Sequence, residues 1–198
     1  MKIESFLGKT IVTAIRDAIV QGLAAAEIEM CSNQGYDTGI GRDHRARCRS
    51  RLVENALYQM CGVQRNLGLK ASDVRSQGVN KLFIQKSGFN MLPVQAPDRR
   101  GYLEQPLYQS DYRSSNPSRQ LPLFNEVSGH DLPVFFRIEY GVDELGSFAS
   151  ITIPDSNGGL YASLILDLSV AVRNAQVEDE KIPQPKFGRK KELRTNEA

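Results

Sequence analysis

The sequence predicts an α+β fold, in which two N-terminal helices form a helical hairpin that packs on an antiparallel sheet of about six short strands. The first observation is a run of apolar residues at spacings of three and four, the period of a helix face, between Ser5 and Cys61. The second is a change beyond Gly62 to short segments separated by turn residues, which is typical of strands. The third is size, because 198 residues with 40% apolar content suffice for one domain with its own core.

The first predicted helix covers Ser5–Cys31. Its apolar positions recur with helical spacing at Val12, Ile15, Ile19, Leu23, Ala26 and Met30. Five alanines and Gly22 give this helix a thin surface, which favours close packing against a neighbouring element. We expect that neighbour to be the second predicted helix, Arg42–Cys61, because the short Ser32–Gly41 connection suits an antiparallel hairpin. The alternative is that the N-terminal helix forms a dimer surface.

Three short strands are predicted next, over Leu67–Arg75, Lys81–Gln85 and Phe89–Gln95. The spacers between them are turn sequences that contain Ser and Gly, so the three strands are expected to form an antiparallel meander. Because proline cannot donate to a strand ladder, Pro93 indicates that the third strand is an edge strand or ends there.

The clearest strand pattern lies in Pro133–Val142 and Phe148–Pro154, which flank a short turn and predict a hairpin. Side chains alternate along the first of these strands, so Arg137 and Glu139 share one of its faces. Leu160–Leu168 is predicted to be the last strand, with a short helix as the alternative.

A long irregular segment, Pro97–His130, separates the two groups of strands and is rich in Pro, Ser, Gln, Arg and Tyr. Its arginines, among them Arg99, Arg100 and Arg113, are interleaved with tyrosines, a pattern that suits pairing with phosphates and stacking on bases. The alternative is a segment that wraps around the domain or contacts a protein partner, because its leucines favour docking on the core.

We assign residues 1–176 to a single domain and residues 177–198 to a flexible, basic C-terminal tail. The tail begins with the acidic Glu178–Glu180 and continues into a basic cluster that contains Lys190 and Lys191. It lacks the apolar residues needed to fold alone. Its predicted role is a basic arm for nucleic acid or a protein partner, with a solvated terminus as the alternative.

The most unusual stretch is Gly35–Arg51, in which glycines precede five arginines. On a helical wheel, Arg42, Arg45 and Arg49 fall in line with the apolar stripe near the start of the second helix. Cations are disfavoured at a helix N-terminus, whereas an anion bound there is stabilised by backbone N–H groups. The stretch therefore predicts a site for phosphate, a carboxylate or a nucleic-acid backbone. The alternatives are a solvated loop and ion pairs with carboxylates of the same chain.

Composition limits the chemistry of the protein. The net charge of +2 is too small for nucleic-acid binding through bulk charge, so such binding depends on local clustering. The three cysteines lack CxxC spacing and are accompanied by only two histidines, so we predict reduced thiols, no metal and no cofactor. No signal peptide or membrane-spanning run is visible, which predicts a cytoplasmic protein without a membrane partner.

Catalytic motifs do not stand out, since the sequence contains no Gly-x-Ser-x-Gly. Two carboxylates, Glu139 on a strand and Asp155 at the end of the next strand, are the pair to inspect for a metal-dependent nuclease. His44 lies beside arginines that would hold its imidazole neutral, so it is the candidate general base of a ribonuclease.

Together these observations predict a non-catalytic binding or regulatory domain. Its expected partner is nucleic acid or another polyanion, bound by Arg42, Arg45 and Arg49 with help from the tail. The first alternative is a nuclease that uses the histidine or the two carboxylates named above. The second is a protein-interaction module that assembles into a homo-oligomer.

Overall fold

The structure, a computed structural model, describes residues 2–32, 39–76, 79–97, 133–155 and 159–169, together with residues 99, 113 and 116. It confirms the α+β class, because helices accompany one six-stranded sheet whose strands lie side by side in chain order. The predicted tail at 177–198, with Lys190 and Lys191, lies outside the described residues, as does Arg100. The assignment of residues 1–176 to one domain stays a prediction.

The helices are α1 (Ile3–Leu7), α2 (Lys9–Cys31) and α3 (Gly39–Val63), followed by a 3₁₀ turn at Arg65–Leu67. The first predicted helix is therefore two helices. They separate at Gly8, whose φ of +86° is a backbone conformation that favours glycine and ends α1. The second predicted helix is longer at both ends than the sequence indicated. Within the described ranges, no helix is both long enough and apolar enough to cross a membrane.

The α2 and α3 helices form the predicted hairpin, and their contact depends on Gly22. A Cβ atom at Gly22 would lie 2.5 Å from the Cα of Val53 on α3, so only glycine permits this separation of the two backbones. Ile15 and Ile19 of α2 and Leu57 of α3 are fully buried in the same core cluster as Val53. The close approach predicted from the small residues of the first helix is confirmed.

The strands are β1 (Lys70–Ser76), β2 (Val79–Lys86), β3 (Phe89–Gln95), β4 (Val134–Asp143), β5 (Gly146–Pro154) and β6 (Leu160–Ile165). The β1, β2 and β3 strands pair antiparallel and confirm the predicted meander. The β4, β5 and β6 strands form a second antiparallel meander, which contains the predicted hairpin. Since Leu160–Ile165 is hydrogen-bonded to β5, the alternative of a short helix in this segment is wrong.

The two meanders join through a parallel pair of strands, a departure from the wholly antiparallel sheet that was predicted. The β3 strand runs parallel to β4, with Phe89 opposite Val134 and Gln95 opposite Tyr140. Parallel neighbours need a long crossover connection, and residues 96–133 are long enough to provide it. The irregular segment of the sequence is therefore the connection between the two halves of the sheet.

The position of β3 also corrects the interpretation of Pro93. This strand lies in the interior of the sheet, so its assignment as an edge strand is wrong. Pro93 is opposite Ile138 of β4, but the residues of β3 that pair with β2 end at Met91. One side of β3 therefore carries no ladder at Pro93, which is where a strand tolerates the missing N–H group.

The sheet buries side chains on both faces, and the two faces of β4 differ in chemistry. Phe136, Ile138 and Tyr140 are fully buried in the core that also contains the helices. The opposite face of β4 carries Arg137 and Glu139, as their alternation predicts, and these charged side chains are buried as well. Burying a charge is costly unless it is paired, so the two buried charges on the face away from the helices require an explanation.

Candidate functional site

The side chains of Arg137 and Glu139 form an ion pair on the second face of the sheet. The Arg137 Nη2 atom lies 2.8 Å from Glu139 Oε1, and the two side chains are only 4% and 8% exposed. Thr152, which is opposite Arg137 on β5, donates its hydroxyl to Glu139 Oε1 at 3.1 Å. The alternation of side chains along β4 and the register of β5 thus bring three polar side chains together in a buried position.

Burial controls the electrostatics of this pair. Loss of solvent raises the pKa of the Glu139 carboxyl above its ordinary value, whereas the Arg137 guanidinium and hydrogen bonds from Thr152 and Ser150 oppose that rise. Among the described residues, the buried Arg137 Nε finds no hydrogen-bond partner. An ionisable group with a perturbed pKa and an unsatisfied neighbour is typical of a functional site when it faces a cavity.

A cavity of about 580 Å³ opens directly against this pair. Arg137, Glu139 and Thr152 lie on its polar side, and the hydroxyl-bearing Ser150 and Ser163 also line it. Its apolar lining comes from β5, β6 and the residues after β6, namely Phe148, Leu160, Ile165, Leu166 and Leu168. Ligand sites typically measure about 300–1,000 Å³ and combine apolar walls with a few polar groups, and this cavity has both properties.

Arg99 lies at one end of the cavity and is held by the β4–β5 hairpin. Its Nε atom is 3.0 Å from Asp143 Oδ2, and its guanidinium carbon lies 5.8 Å from the centre of the Phe148 ring. Its side chain is 43% exposed, so the ion pair is partly solvated. Pairing of Arg99 with a phosphate stays a prediction, and it would compete with these contacts to Asp143 and Phe148.

Asn116 fastens the connecting segment to the other end of the same hairpin. Its side-chain amide donates to the carbonyl oxygens of Phe135 at 2.9 Å and Pro154 at 2.6 Å. Its Oδ1 atom accepts the Phe135 N–H at 2.7 Å. Phe135 and Pro154 lie just beyond the Arg137–Thr152 pair, at the end of β4 and β5 away from the hairpin turn. Asn116 therefore holds one end of these two strands, and Arg99 contacts the other.

Two arginines of α3 form ion pairs with carboxylates of α2. Arg49 Nη2 lies 3.2 Å from Glu27 Oε1, and Arg51 Nη2 lies 2.6 Å from Glu29 Oε1, so both bridge α3 to α2. Arg45 is half-buried, as is Arg113 in the connecting segment, whereas the side chain of Arg42 lies outside the described part of the chain. Ion pairs with the same chain, one of the alternatives that the sequence left open, are present at Arg49 and Arg51.

The candidate catalytic residues do not converge. His44 is exposed on α3, a helix that packs on the face of the sheet opposite to Glu139. Asp155 accepts the N–H of Gly159 at 2.6 Å and thereby closes the β5–β6 turn. Glu139 is opposite Ser150, and Asp155 lies about 16 Å farther along the strand direction. Among the described residues, no three His, Cys, Asp or Glu side chains are grouped closely enough to hold a metal ion.

The sequence placed Arg137 and Glu139 on one face but did not reveal their role. The signal was present, since two opposite charges lie two positions apart inside the apolar run PVFFRIEYGV. Such a run is buried on both faces, so its charges must pair with each other. Thr152, Ser150 and Phe148 carried no comparable signal, because only the pairing of β5 with β4 brings them to the site.

Comparison of the chain with protein-family models, with curated proteins and with solved structures finds no match. The function of the protein is therefore inferred from the cavity and from the ion pair beside it. The ion pair lies on β4, and the cavity is lined mainly by β5, β6 and the residues after β6, with Arg99 at one end.

Proposed function

We propose that this protein is a non-catalytic binding domain whose ligand occupies the cavity beside the Arg137–Glu139 pair. The observation that carries this proposal is the position of the pair, which is buried and at the same time lines a cavity of about 580 Å³ with apolar walls. Polar groups placed within an apolar cavity fix the orientation of a small molecule and discriminate between ligands.

A purely structural role explains the pair less well. Removing two charges from water costs several kcal/mol per ion, so a buried salt bridge rarely adds net stability. Within the described part of the chain the Arg137 Nε also lacks a hydrogen-bond partner, which adds to this cost because a buried donor without a partner is destabilising. A binding role explains why a costly pair is present where a ligand has access to it.

A catalytic role also has less support. The described residues place neither His44 nor Asp155 near Glu139, so Glu139 has no second acid–base group beside it among the candidates. Its immediate neighbours are a guanidinium and hydroxyl groups, which bind and orient rather than transfer protons at neutral pH.

Binding in the cavity is tested with the neutral dye Nile red, whose fluorescence rises in apolar surroundings. Ser163 lines the cavity, so Ser163→Trp fills part of it. Gln59→Trp places the same side chain on the exposed face of α3 and serves as the matched control. We expect saturable binding to the wild type and to Gln59→Trp, and loss of binding in Ser163→Trp. Equal binding by all three proteins would refute the proposal.

A polyanion, with nucleic acid as the first choice, is the second proposed ligand. It is supported by His44, Arg47 and Arg51, which are exposed and fall on one stripe of α3. The ion pairs of Arg49 and Arg51 with α2 weigh against it, because a polyanion must compete with Glu27 and Glu29. For a salt-dependent mobility shift, we expect Arg47→Ala to weaken binding and Arg65→Ala, an exposed arginine outside the stripe, to leave it unchanged. Equal binding by both variants would contradict a role of the stripe.

We also propose that the protein self-associates through the edge of its sheet. The β6 strand is at the edge of the sheet, and its Ile165 is 82% exposed, so this edge suits pairing with a second copy. Light scattering of the wild type and of Ile165→Lys tests this self-association, and a monomeric wild type would refute it.

We propose a cytoplasmic location for the protein, which agrees with the free thiols of Cys31, Cys48 and Cys61.

A further inference from the structure

We infer that the ligand of the cavity is an uncharged small molecule that presents a primary amide to Arg137 and Glu139 and an apolar body to the apolar lining. This inference rests on the proposed function, since it names the chemical class that the same cavity selects. It follows from the charge balance, the hydrogen-bonding groups and the apolar lining of the cavity.

The charged side chains of the described lining balance in number, because Arg99 and Arg137 are matched by Glu139 and Asp167. The Arg137 guanidinium and the Glu139 carboxylate form one pair on the polar side, and Arg99 is paired with Asp143 at one end. The remaining charged side chain of the described lining is Asp167, which is exposed. A carboxylate ligand would meet Glu139 at close range, and a cationic ligand would meet Arg137. An uncharged ligand avoids both repulsions.

The hydrogen-bonding groups also match an amide. A guanidinium only donates hydrogen bonds, and a carboxylate only accepts them. Because Arg137 and Glu139 are adjacent on one face of β4, donors and acceptors lie side by side. A primary amide presents a carbonyl acceptor next to two N–H donors, so its carbonyl faces Arg137 while its N–H group faces Glu139. The hydroxyl of Ser163 also lines the cavity and can serve either group, whereas the hydroxyl of Ser150 is already hydrogen-bonded to Glu139.

The apolar lining determines the chemistry of the part of the ligand beyond the amide. Phe148 and Leu160 belong to strands of the sheet, and Leu166 and Leu168 follow the last strand. These side chains form a wall that suits an aromatic or aliphatic body. A volume of about 580 Å³ accommodates one small molecule and excludes a folded polypeptide.

Three probes of the same shape and different charge test this inference: para-butylbenzamide, para-butylbenzoate and para-butylbenzamidine. Each is titrated into ¹⁵N-labelled protein at pH 8, and binding is followed through the backbone amide signals of Ser150, Thr152 and Ser163. We expect the benzamide to bind with a Kd about tenfold or more below that of either charged probe.

Replacement of one charge changes the expected ranking. Glu139→Gln leaves Arg137 as the only charge of the pair, so the variant is expected to bind para-butylbenzoate best. Glu144→Gln makes the same change in net charge at an exposed turn position that does not line the cavity, and it is expected to keep the wild-type ranking. If Glu139→Gln does not fold, the ranking of the three probes on the wild type alone decides the inference.

The possible outcomes separate the two proposals. If the benzamide binds best to the wild type, the inference is supported. If a charged probe binds best and shifts the signals of Ser150, Thr152 and Ser163, the amide inference is overturned while the cavity remains the binding site. If no probe shifts those signals, the amide inference is overturned, and the Nile red titration of the wild type and of Ser163→Trp decides the proposed function separately.

Discussion

Separating the partners of the Arg137–Glu139 pair tests how strongly its burial affects the protein. We propose a double-mutant cycle of Arg137→Met, Glu139→Leu and the variant with both changes. Since the two side chains are 4% and 8% exposed, each single replacement leaves a buried charge without its partner. Such a loss typically costs about 3–5 kcal/mol, whereas replacement of a whole buried pair by apolar residues is often neutral or stabilising by about 1–4 kcal/mol. The double variant is therefore expected to be more stable than either single variant.

The two single variants should differ in their pH dependence. Without Arg137, the Glu139 carboxyl can take up a proton, and burial already raises its pKa. A carboxyl whose pKa is higher in the folded state binds more protons there, so it favours folding at low pH, and stability falls as the pH rises from the ordinary Glu value through the raised one. The destabilisation by Arg137→Met should therefore shrink as the pH is lowered from 8 to 5. The destabilisation by Glu139→Leu should not shrink in this way, because arginine keeps its proton.

Urea unfolding, followed by far-UV circular dichroism at both pH values, measures all four free energies of unfolding. A double variant that loses as much free energy of unfolding as the two single variants together would refute the reasoning. Single losses below about 1 kcal/mol would also refute it, because that is the range of solvent-exposed ion pairs.

Three further predictions concern positions away from the pair. Gly22→Ala should lower the free energy of unfolding by about 1–3 kcal/mol, because its Cβ would lie 2.5 Å from the Cα of Val53. A Cβ atom at Gly62 would meet no other atom within 4 Å, so Gly62→Ala should raise the free energy of unfolding by up to about 1 kcal/mol. Thermal unfolding measures both variants, and two changes of the same sign would contradict the helix packing. Asn116→Ala should cost about 2–5 kcal/mol and speed hydrogen exchange at the Phe135 amide, and an unchanged exchange rate would contradict its role as an anchor. Because burial raises the pKa of Cys61 to about 11, this thiol should react with iodoacetamide far more slowly at pH 8 than exposed Cys31, and equal rates by mass spectrometry would contradict its burial.

The elements of the fold could be predicted because their signals are local. Helical spacing over the first two helices, and alternation with turn residues over the strands, depend on neighbouring positions alone. The break at Gly8 was missed, since the periodicity continues across it and only the backbone conformation reveals it. The parallel pairing of β3 with β4 was missed because the order of strands depends on the path of residues 96–133, about which local patterns say nothing.

The candidate site was predictable only in part, for a related reason. The shared face of Arg137 and Glu139 follows from the two-residue period of a strand. The cavity beside them also requires β5, β6 and the residues after β6 to be in place, and these contacts are not local. The ion pair of Arg49 with Glu27 joins two helices across their connection, so the helical wheel that placed Arg49 near the apolar stripe could not show its partner.

The position of a bound ligand is the most direct test of the proposed site. Nuclear Overhauser effects between para-butylbenzamide and the methyl groups of the protein report which side chains lie within about 5 Å of the probe, close to van der Waals contact. We predict effects from the butyl chain to Leu160, Leu166 and Leu168, which line the cavity, and none to Leu57 in the core between the helices and the sheet. Effects confined to methyl groups of the helices, with the three cavity leucines silent at saturation, would contradict the assignment of this cavity as the binding site.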